Sequence, residues 1–500
     1  MGLERAGGPS AITRYWDISF KPGEWSLSKF SRLDQIDWPI AWVTALFLVQ
    51  AVPATLIRAA NLEEGRILAM ARGAVEDGHW LTPFVYGERF AERPVLLSWI
   101  TALFGELTGG VTLWCLRVPH LCVFLAGALL IYGLLRSMTG KSAAIFGALC
   151  WISMPLVAPK FINAEPDIVL SALLFAAFFV RWQGTRDRSM TPVRWLCIAL
   201  LMALAGLTKG PQPIAFLTLG VGAYILLKQR DQILAFMVAN LLAGLIVGGW
   251  YAAVYRPDDI ELWKAHSRLS DTTDGIETIR GHLDFVKSLA LEFLSGTILI
   301  GPAIALALRT WRTAHRDLLL ASILYSVMGT LVLVFWPGGV AARYAMPATM
   351  SVAVVCGLMF EVRRHSHPKL IASALVVTFL IFAGLLVRGW VVMPLWSHLF
   401  KESEIAGAAI SSVVQRSPQP LYIIFYAGEP NMLSYVAGPI RSVTVRELAG
   451  LRTPAIAVLL AEHRQALAQL APSFRLIDEA EVVSHRIPYK VVTILPDAAH

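Results

Sequence analysis

Apolar stretches long enough to cross a lipid bilayer recur through the first four-fifths of the chain, separated by short polar loops. A helix needs about 20 residues to span the hydrocarbon core, and inside that core each backbone N–H and C=O must find its partner within the segment. The pattern therefore predicts an α-helical polytopic membrane protein. Spans are expected at 38–57, 116–135, 142–158, 166–182, 193–207, 211–227, 233–254, 285–308, 318–336, 344–361 and 370–392, about 11 transmembrane helices in all. Charge agrees, since only 16% of residues are charged, against about 25% in a soluble domain. One further apolar stretch, 95–108, is too short to span comfortably and reads as a juxtamembrane helix at the outer interface. The polar segment 1–37 is too long for a cleavable signal peptide, so the first span reads as an uncleaved anchor.

Basic residues set the topology, because Lys and Arg concentrate in cytoplasmic loops. Arg136/Lys141, Arg181/Arg186/Arg188/Arg194, Lys228/Arg230, Arg309/Arg312/Arg316 and Arg363/Arg364/Lys369 mark loops as cytoplasmic, and the basic tail 1–37 joins them. These assignments agree only if 95–108 does not cross. The expectation is an inner-membrane protein with its N-terminus in the cytoplasm. Loops 58–115 and 255–284 then lie outside, with the region 393–500. That last region loses the long apolar runs. It shows strand-like blocks ("LYIIFY", "AIAVLL", "YKVVTIL") around helical patterns, which predicts a small extracytoplasmic α/β domain.

The net charge of +8 is no nucleic-acid footprint, because the cations lie in interhelical loops where topology accounts for them. All five cysteines fall in apolar segments without CxxC spacing, so neither a disulfide framework nor structural zinc is expected. HExxH, GxSxG and GxxxxGK[ST] are missing from the sequence, so it has no zincin helix, nucleophile elbow or Walker loop.

Charged residues at the outer span mouths are the candidates for chemistry. "AANLEEGR" puts Glu63, Glu64 and Arg66 just after the first span. Acids here can face substrates held in lipid, or start a helix, with Asn61 capping it and Glu64 at the capping-box position. "INAEPDIVL" places Glu165 and Asp167 around Pro166 at another mouth, again open to function or to helix-start chemistry. "LTKGPQP" fixes Lys209 in a tight turn, as a phosphate-binding point charge or a snorkelling lysine. "FAERPVLLSW" carries Glu92 and Arg93, and "GGVAARYAMP" carries Arg343 and Tyr344. Arginine matches phosphate with its planar fork of donors, and Arg or Tyr at headgroup level also serves as an anchor. Together these groups bring acids and phosphate-binding cations to one face of the membrane. A transporter or flippase of an anionic lipid is the alternative, but it calls for buried mid-span charges and internal pseudo-symmetry, and the sequence shows no repeat.

The order of these motifs resembles the bacterial lipid-linked-sugar glycosyltransferases related to protein O-mannosyltransferases and to the aminoarabinose transferase that modifies lipid A, membrane enzymes of the GT-C fold. The family's Asp-Glu-x-Arg is similar to Glu63-Glu64-Gly65-Arg66, and "DGHWLTPFVYGERFAERPVLLSW" resembles its long outer-loop motif. "LRVPH" (116–120), Glu165-Pro166-Asp167, "LTKGP" (207–211) and "RYAMP" (343–347) follow in the family's order over roughly residues 38–360. Departures are Glu63 for the leading aspartate, Arg93 for a lysine and Val95 for a proline.

The resemblance implies a polyprenyl-phosphate sugar donor and a lipid, glycan or protein acceptor reached outside. It implies catalytic roles for Glu63, Asp167 and Glu64, and substrate binding by Arg66, Glu92, Arg93, Glu165, Lys209, Arg343 and Tyr344. Membrane lipids are the other partners, and nucleic acid is not one. No cofactor is required on this reading, though a divalent cation beside the phosphate stays open.

Overall fold

The computed structural model describes residues 37–90, 94–260, 275–309, 314–336, 341–424 and 429–496. The expected tail 1–37 lies outside them but for its last residue, as do Glu92 and Arg93 and parts of two outer loops.

Helices α1 (Pro39–Ile57), α2 (Glu64–Asp77), α3 (Leu96–Thr108), α4 (Leu113–Arg136), α5 (Lys141–Ser153), α6 (Pro166–Arg186) and α7 (Pro192–Lys209) open the chain. A hairpin of β1 (Phe84–Val85) and β2 (Glu88–Arg89) lies between α2 and α3. A π-helical segment, Ile214–Val221, leads into α8 (Gly222–Lys228) and then α9 (Ile233–Val254). Next come α10 (Gly275–Glu292), α11 (Leu294–Arg309), α12 (Ala314–Val334), α13 (Met346–Arg363) and α14 (Pro368–Val387). Among the described residues, eight helices are long and apolar enough to span a membrane, and a bent pair makes up to nine. The chain is a multi-pass membrane protein.

Three expected spans depart from single long helices. The stretch 285–308 is two helices that meet at 101°. The Thr297 hydroxyl donates to the carbonyl of Ala290 at 2.8 Å, across the break, and to that of Phe293 at 3.1 Å, which also accepts from the Gly296 and Thr297 amides. The stretch 142–158 stops early because Met154, the residue before Pro155, is extended at ψ 134°. The stretch 211–227 is π-helical at its start, widened where Gly220 lies against the Tyr325 backbone. The segment read as juxtamembrane is α3, of 13 residues.

Helix α13 is the axis of the bundle. Every residue from Met346 to Phe360 is buried, against α5, α6, α11 and α12. Lipid-facing helices show the reverse, as where Leu234, Met237, Leu241 and Leu245 stand exposed along α9.

A five-stranded sheet follows, built from β3 (Leu421–Ile423), β4 (Ile440–Ser442), β5 (Ala455–Leu459), β6 (Arg475–Ser484) and β7 (Ile487–Leu495) in the order β4-β3-β5-β7-β6. Strand β3 is parallel to β4 and β5, while β7 is antiparallel to β5 and β6. This unit sits on α2. Arg72 donates to the carbonyls of Leu433 (3.4 Å), Ser434 (2.8 Å) and Val436 (2.9 Å). Asn431 accepts from the Gly65 amide at 3.0 Å and donates to the Leu62 carbonyl at 3.2 Å. A Cβ at Gly65 would overlap the backbone of Pro430 and Asn431, so only glycine permits this approach.

Candidate active site

Two ion-pair centres sit side by side at the span mouths. The first is built on Glu64, which is fully buried. Arg117, one turn into α4, grips its carboxylate with Nε on Oε1 and Nη2 on Oε2, both at 2.9 Å. Glu64 also accepts from the amides of Asn61 (3.1 Å) and Ala164 (3.0 Å). The remaining donors of Arg117 reach the carbonyls of Thr55, Arg58 and Ala59, closing off the end of α1. Four hydrogen bonds occupy the two oxygens, so Glu64 has no lone pair left for a reacting group. Glu64, for which the resemblance implies a catalytic role, would have to give up one of these bonds to act on a reacting group. It ties α1, α2, α4 and the loop before α6 together, and the bond to Asn61 is half of the expected capping box.

Glu63 precedes it as the N-cap of α2, its side chain 13% exposed and 3.7 Å from Arg66. The Arg66 guanidinium lies over the Phe90 ring, 5.8 Å from its centroid. Of the two adjacent acids, Glu63 is the less buried.

The second centre gathers the loop 158–165, the start of α6 and the end of α7. Lys160, itself buried, is hydrogen-bonded to Glu165 and lies 3.5 Å from Asp167. Lys209 is hydrogen-bonded to the other oxygen of Asp167. Its ammonium stands 4.5 Å from the centroid of the Tyr344 ring, over which Arg343 also lies at 5.8 Å. Burial pushes the Glu165 carboxyl up, against the pull of Lys160 and Arg343. The Nε of Arg343 is buried and has no hydrogen-bond partner among the described residues.

The centres are joined through two bonds, Ala164 N to Glu64 and Asn61 Nδ2 to Asn163 Oδ1 at 3.3 Å. The acids of "NLEEGR" and "NAEPD" therefore share one side of the bundle with Lys209, Arg343 and Tyr344. Glu92 and Arg93 lie outside the described residues. Three partners went unread in the sequence: Arg117, Lys160 and Asn163. Arg117 and Lys160 carried a signal, as ionisable residues set against apolar runs at span mouths. Asn163 carried none.

An apolar groove of about 640 Å³ lies beside the end of α7. Helix α7, the π-helical segment and α9 form its walls, with Met202, Ile214, Leu241, Val247 and Tyr251 among the lining residues. It reaches Gly210, the residue after Lys209. No group of three or more His, Cys, Asp or Glu side chains arranged to hold a metal ion occurs among the described residues.

The fold is that of a polytopic membrane protein of the GT-C type. Crystalline ArnT from Cupriavidus metallidurans bound to undecaprenyl phosphate superposes with a TM-score of 0.73, at 16% identity, over 93% of this chain and 99% of that one. The Archaeoglobus fulgidus oligosaccharyltransferase in complex with zinc and sulfate aligns at a TM-score of 0.53 and 12% identity, over 88% of this chain and 68% of that one.

Sequence similarity is more local. The family model described as dolichyl-phosphate-mannose-protein mannosyltransferase matches residues 92–249. The undecaprenyl phosphate-alpha-4-amino-4-deoxy-L-arabinose arabinosyl transferase 2 of Proteus mirabilis is 27% identical over 206 residues, 39% of this chain and 36% of its own length. The corresponding transferase of Erwinia tasmaniensis is 24% identical over 216 residues, 42% of this chain and 39% of its own. The matched stretch thus spans little more than a third of these relatives.

Proposed function

We propose that the protein is a glycosyltransferase of the inner membrane that moves a sugar from a polyprenyl-phosphate donor to an acceptor outside the cytoplasm. The N-terminus is cytoplasmic on this reading, and the C-terminal sheet is outside. The observation that carries it is the excess of cations next to an apolar groove that reaches Gly210, the neighbour of Lys209. Lys160 and Lys209 already balance Glu165 and Asp167, and Arg343 adds a charge with its Nε unpartnered. Such a site suits an anion whose tail is apolar, namely a lipid phosphate with its isoprenoid chain in the groove.

The bond that breaks joins the anomeric carbon to the phosphate oxygen. The phosphate leaves as an anion, and fixed cations at its position stabilise the charge that develops there. Lys209 and Arg343 do this work, and Asp167 holds Lys209 in place. Glu63 orients the attacking group of the acceptor and, for a hydroxyl, takes its proton. A single displacement inverts the sugar carbon. The acceptor is lipid A, another glycolipid, a glycan or a protein. The reading requires no divalent cation, because Lys160 and Lys209 hold the carboxylates an ion would use. Transfer is expected to survive EDTA, and a loss restored by one metal would replace this scheme.

The test is mass spectrometry of envelope lipids and glycans from a deletion strain and its parent, with polyprenyl-phosphate sugars measured in both. One envelope component should lose a sugar residue while the donor accumulates. Identical profiles, with donor levels unchanged, would exclude the proposal.

A further inference from the structure

We propose that His485, at the tip of the β6–β7 hairpin, is a positioning residue through which the C-terminal sheet sets the spacing of the two acidic loops. The hairpin has a two-residue turn, since Ser484 pairs with Ile487. Both turn residues, His485 and Arg486, have left-handed backbone, with φ of 53° and 65°. That geometry is a type I′ turn, whose usual residues are Asn and Gly. Here a histidine and an arginine adopt it, and a non-glycine residue held in this region is a pointer to function.

The turn delivers the His485 ring to Asn61. Its Nε2 lies 3.1 Å from Asn61 Oδ1, and its Nδ1 lies 3.2 Å from the hydroxyl of Ser484. Asn61 in turn donates from Nδ2 to Asn163 Oδ1 at 3.3 Å. These neighbours assign the roles. Asn61 must offer its amide hydrogens to Asn163, so its oxygen faces His485, and Nε2 carries the proton. Nδ1 then accepts from Ser484.

The result is a directed chain from Ser484 through His485 and Asn61 to Asn163. Asn61 is also bonded to Glu64 through its backbone amide, two residues from Glu63. Asn163 stands two residues before Glu165 and four before Asp167. The imidazole therefore holds the Asn61 side chain, and Asn61 is what ties the loop that carries Glu63 to the loop that carries Asp167. Attachment of the sheet does not depend on it, because Arg72, Asn431 and Tyr435 make the docking bonds farther along α2 and at Ala60.

The catalytic part of this inference rests on the proposed glycosyl transfer, and the experiment separates the two. Full-length protein in lipid nanodiscs is compared as wild type, His485→Ala and His485→Gln, the last of which keeps a donor on a side chain of similar reach. Hydrogen exchange should quicken in both 59–66 and 160–167 in His485→Ala and return toward wild type in His485→Gln. In sugar transfer, His485→Ala should lower kcat about tenfold to a hundredfold, as a small misplacement does, with KM for the donor lipid unchanged. Exchange in the two loops that is the same in all three proteins overturns the proposal, whatever the activity. So does a His485→Ala enzyme with unaltered kcat. If the variants show the exchange pattern while the wild type transfers no sugar, the brace stands and the proposed function alone falls.

Discussion

Glu63 and Glu64 are neighbours in the chain, but only Glu64 is fully buried, and their substitutions should part accordingly. Glu64 is buried in the Arg117 fork. Removing one partner of a buried ion pair strands the other, at a cost of about 3–5 kcal/mol. Arg117→Ala should therefore lower the melting temperature and the yield of folded protein, read by thermal unfolding in detergent. Glu63→Gln should unfold at the wild-type temperature and lose transfer by about 10²–10⁴-fold, the usual worth of an acid–base group. Unchanged transfer would remove Glu63 from the mechanism. Lys209→Ala should cost about 10²–10³-fold in kcat, as loss of one charge-stabilising donor does. Residue types and order made Glu63, Asp167 and Lys209 readable as candidates. Spacing could not say which of two adjacent acids is buried, because that depends on Arg117, 53 positions away. Lys160 went unread for the same reason: its partners Glu165 and Asp167 looked complete as a pair of acids at a helix start.

At the scale of elements, apolar length made the long helices legible, but the places where they break are set by contacts. The bend within 285–308 and the π-helical turns after Lys209 depend on Thr297 and on the Gly220–Tyr325 approach, neither of which periodicity reveals. The β1–β2 hairpin was also invisible, as its strands have two residues each. It is held by Arg89, which donates to both oxygens of Asp259 at 2.7 and 2.5 Å and to the Val254 carbonyl. Burial raises the Asp259 carboxyl, but the bonds from Arg89 and the Arg256 amide outweigh it and hold the group below the usual carboxylate range. A carboxyl depressed in the folded state stabilises at pH above its unfolded value of about 3.9, and that contribution fades as pH falls through the lower folded value. Protection of residues 84–90 against hydrogen exchange, taken relative to the intrinsic rate at each pH, should therefore fall on acidification below about pH 4. Asp259→Asn should show the faster exchange already at neutral pH and no further acid step from this pair. A wild-type hairpin whose protection, so corrected, stays flat down to about pH 2 would contradict the assignment.

In the whole molecule, the helical bundle and the C-terminal sheet meet on α2, the helix that begins at the two acids. Its glycine side lies on Pro430 and Asn431, and its Arg72 reaches three carbonyls of the C-terminal unit. The strand-like blocks at 421–426, 455–460 and 489–495 overlap β3, β5 and β7, with 425–426 outside the described residues, but nothing in their composition told where the sheet would rest. Arg72 is the test of that union. A planar guanidinium serves several carbonyls at once, whereas an ammonium on a flexible stem keeps the charge and loses the fork. Arg72→Ala leaves those carbonyls without their donor, and each hydrogen bond to a charged group is worth about 1.5–3 kcal/mol. Limited proteolysis of the full-length protein should then cut between the bundle and the sheet faster than in wild type, with Arg72→Lys in between. Sugar transfer should fall in the same order, because Glu63 rides on the helix that has come loose. If Arg72→Ala speeds cleavage while transfer is untouched, the sheet is an independent appendage and α2 keeps its acids in place without it.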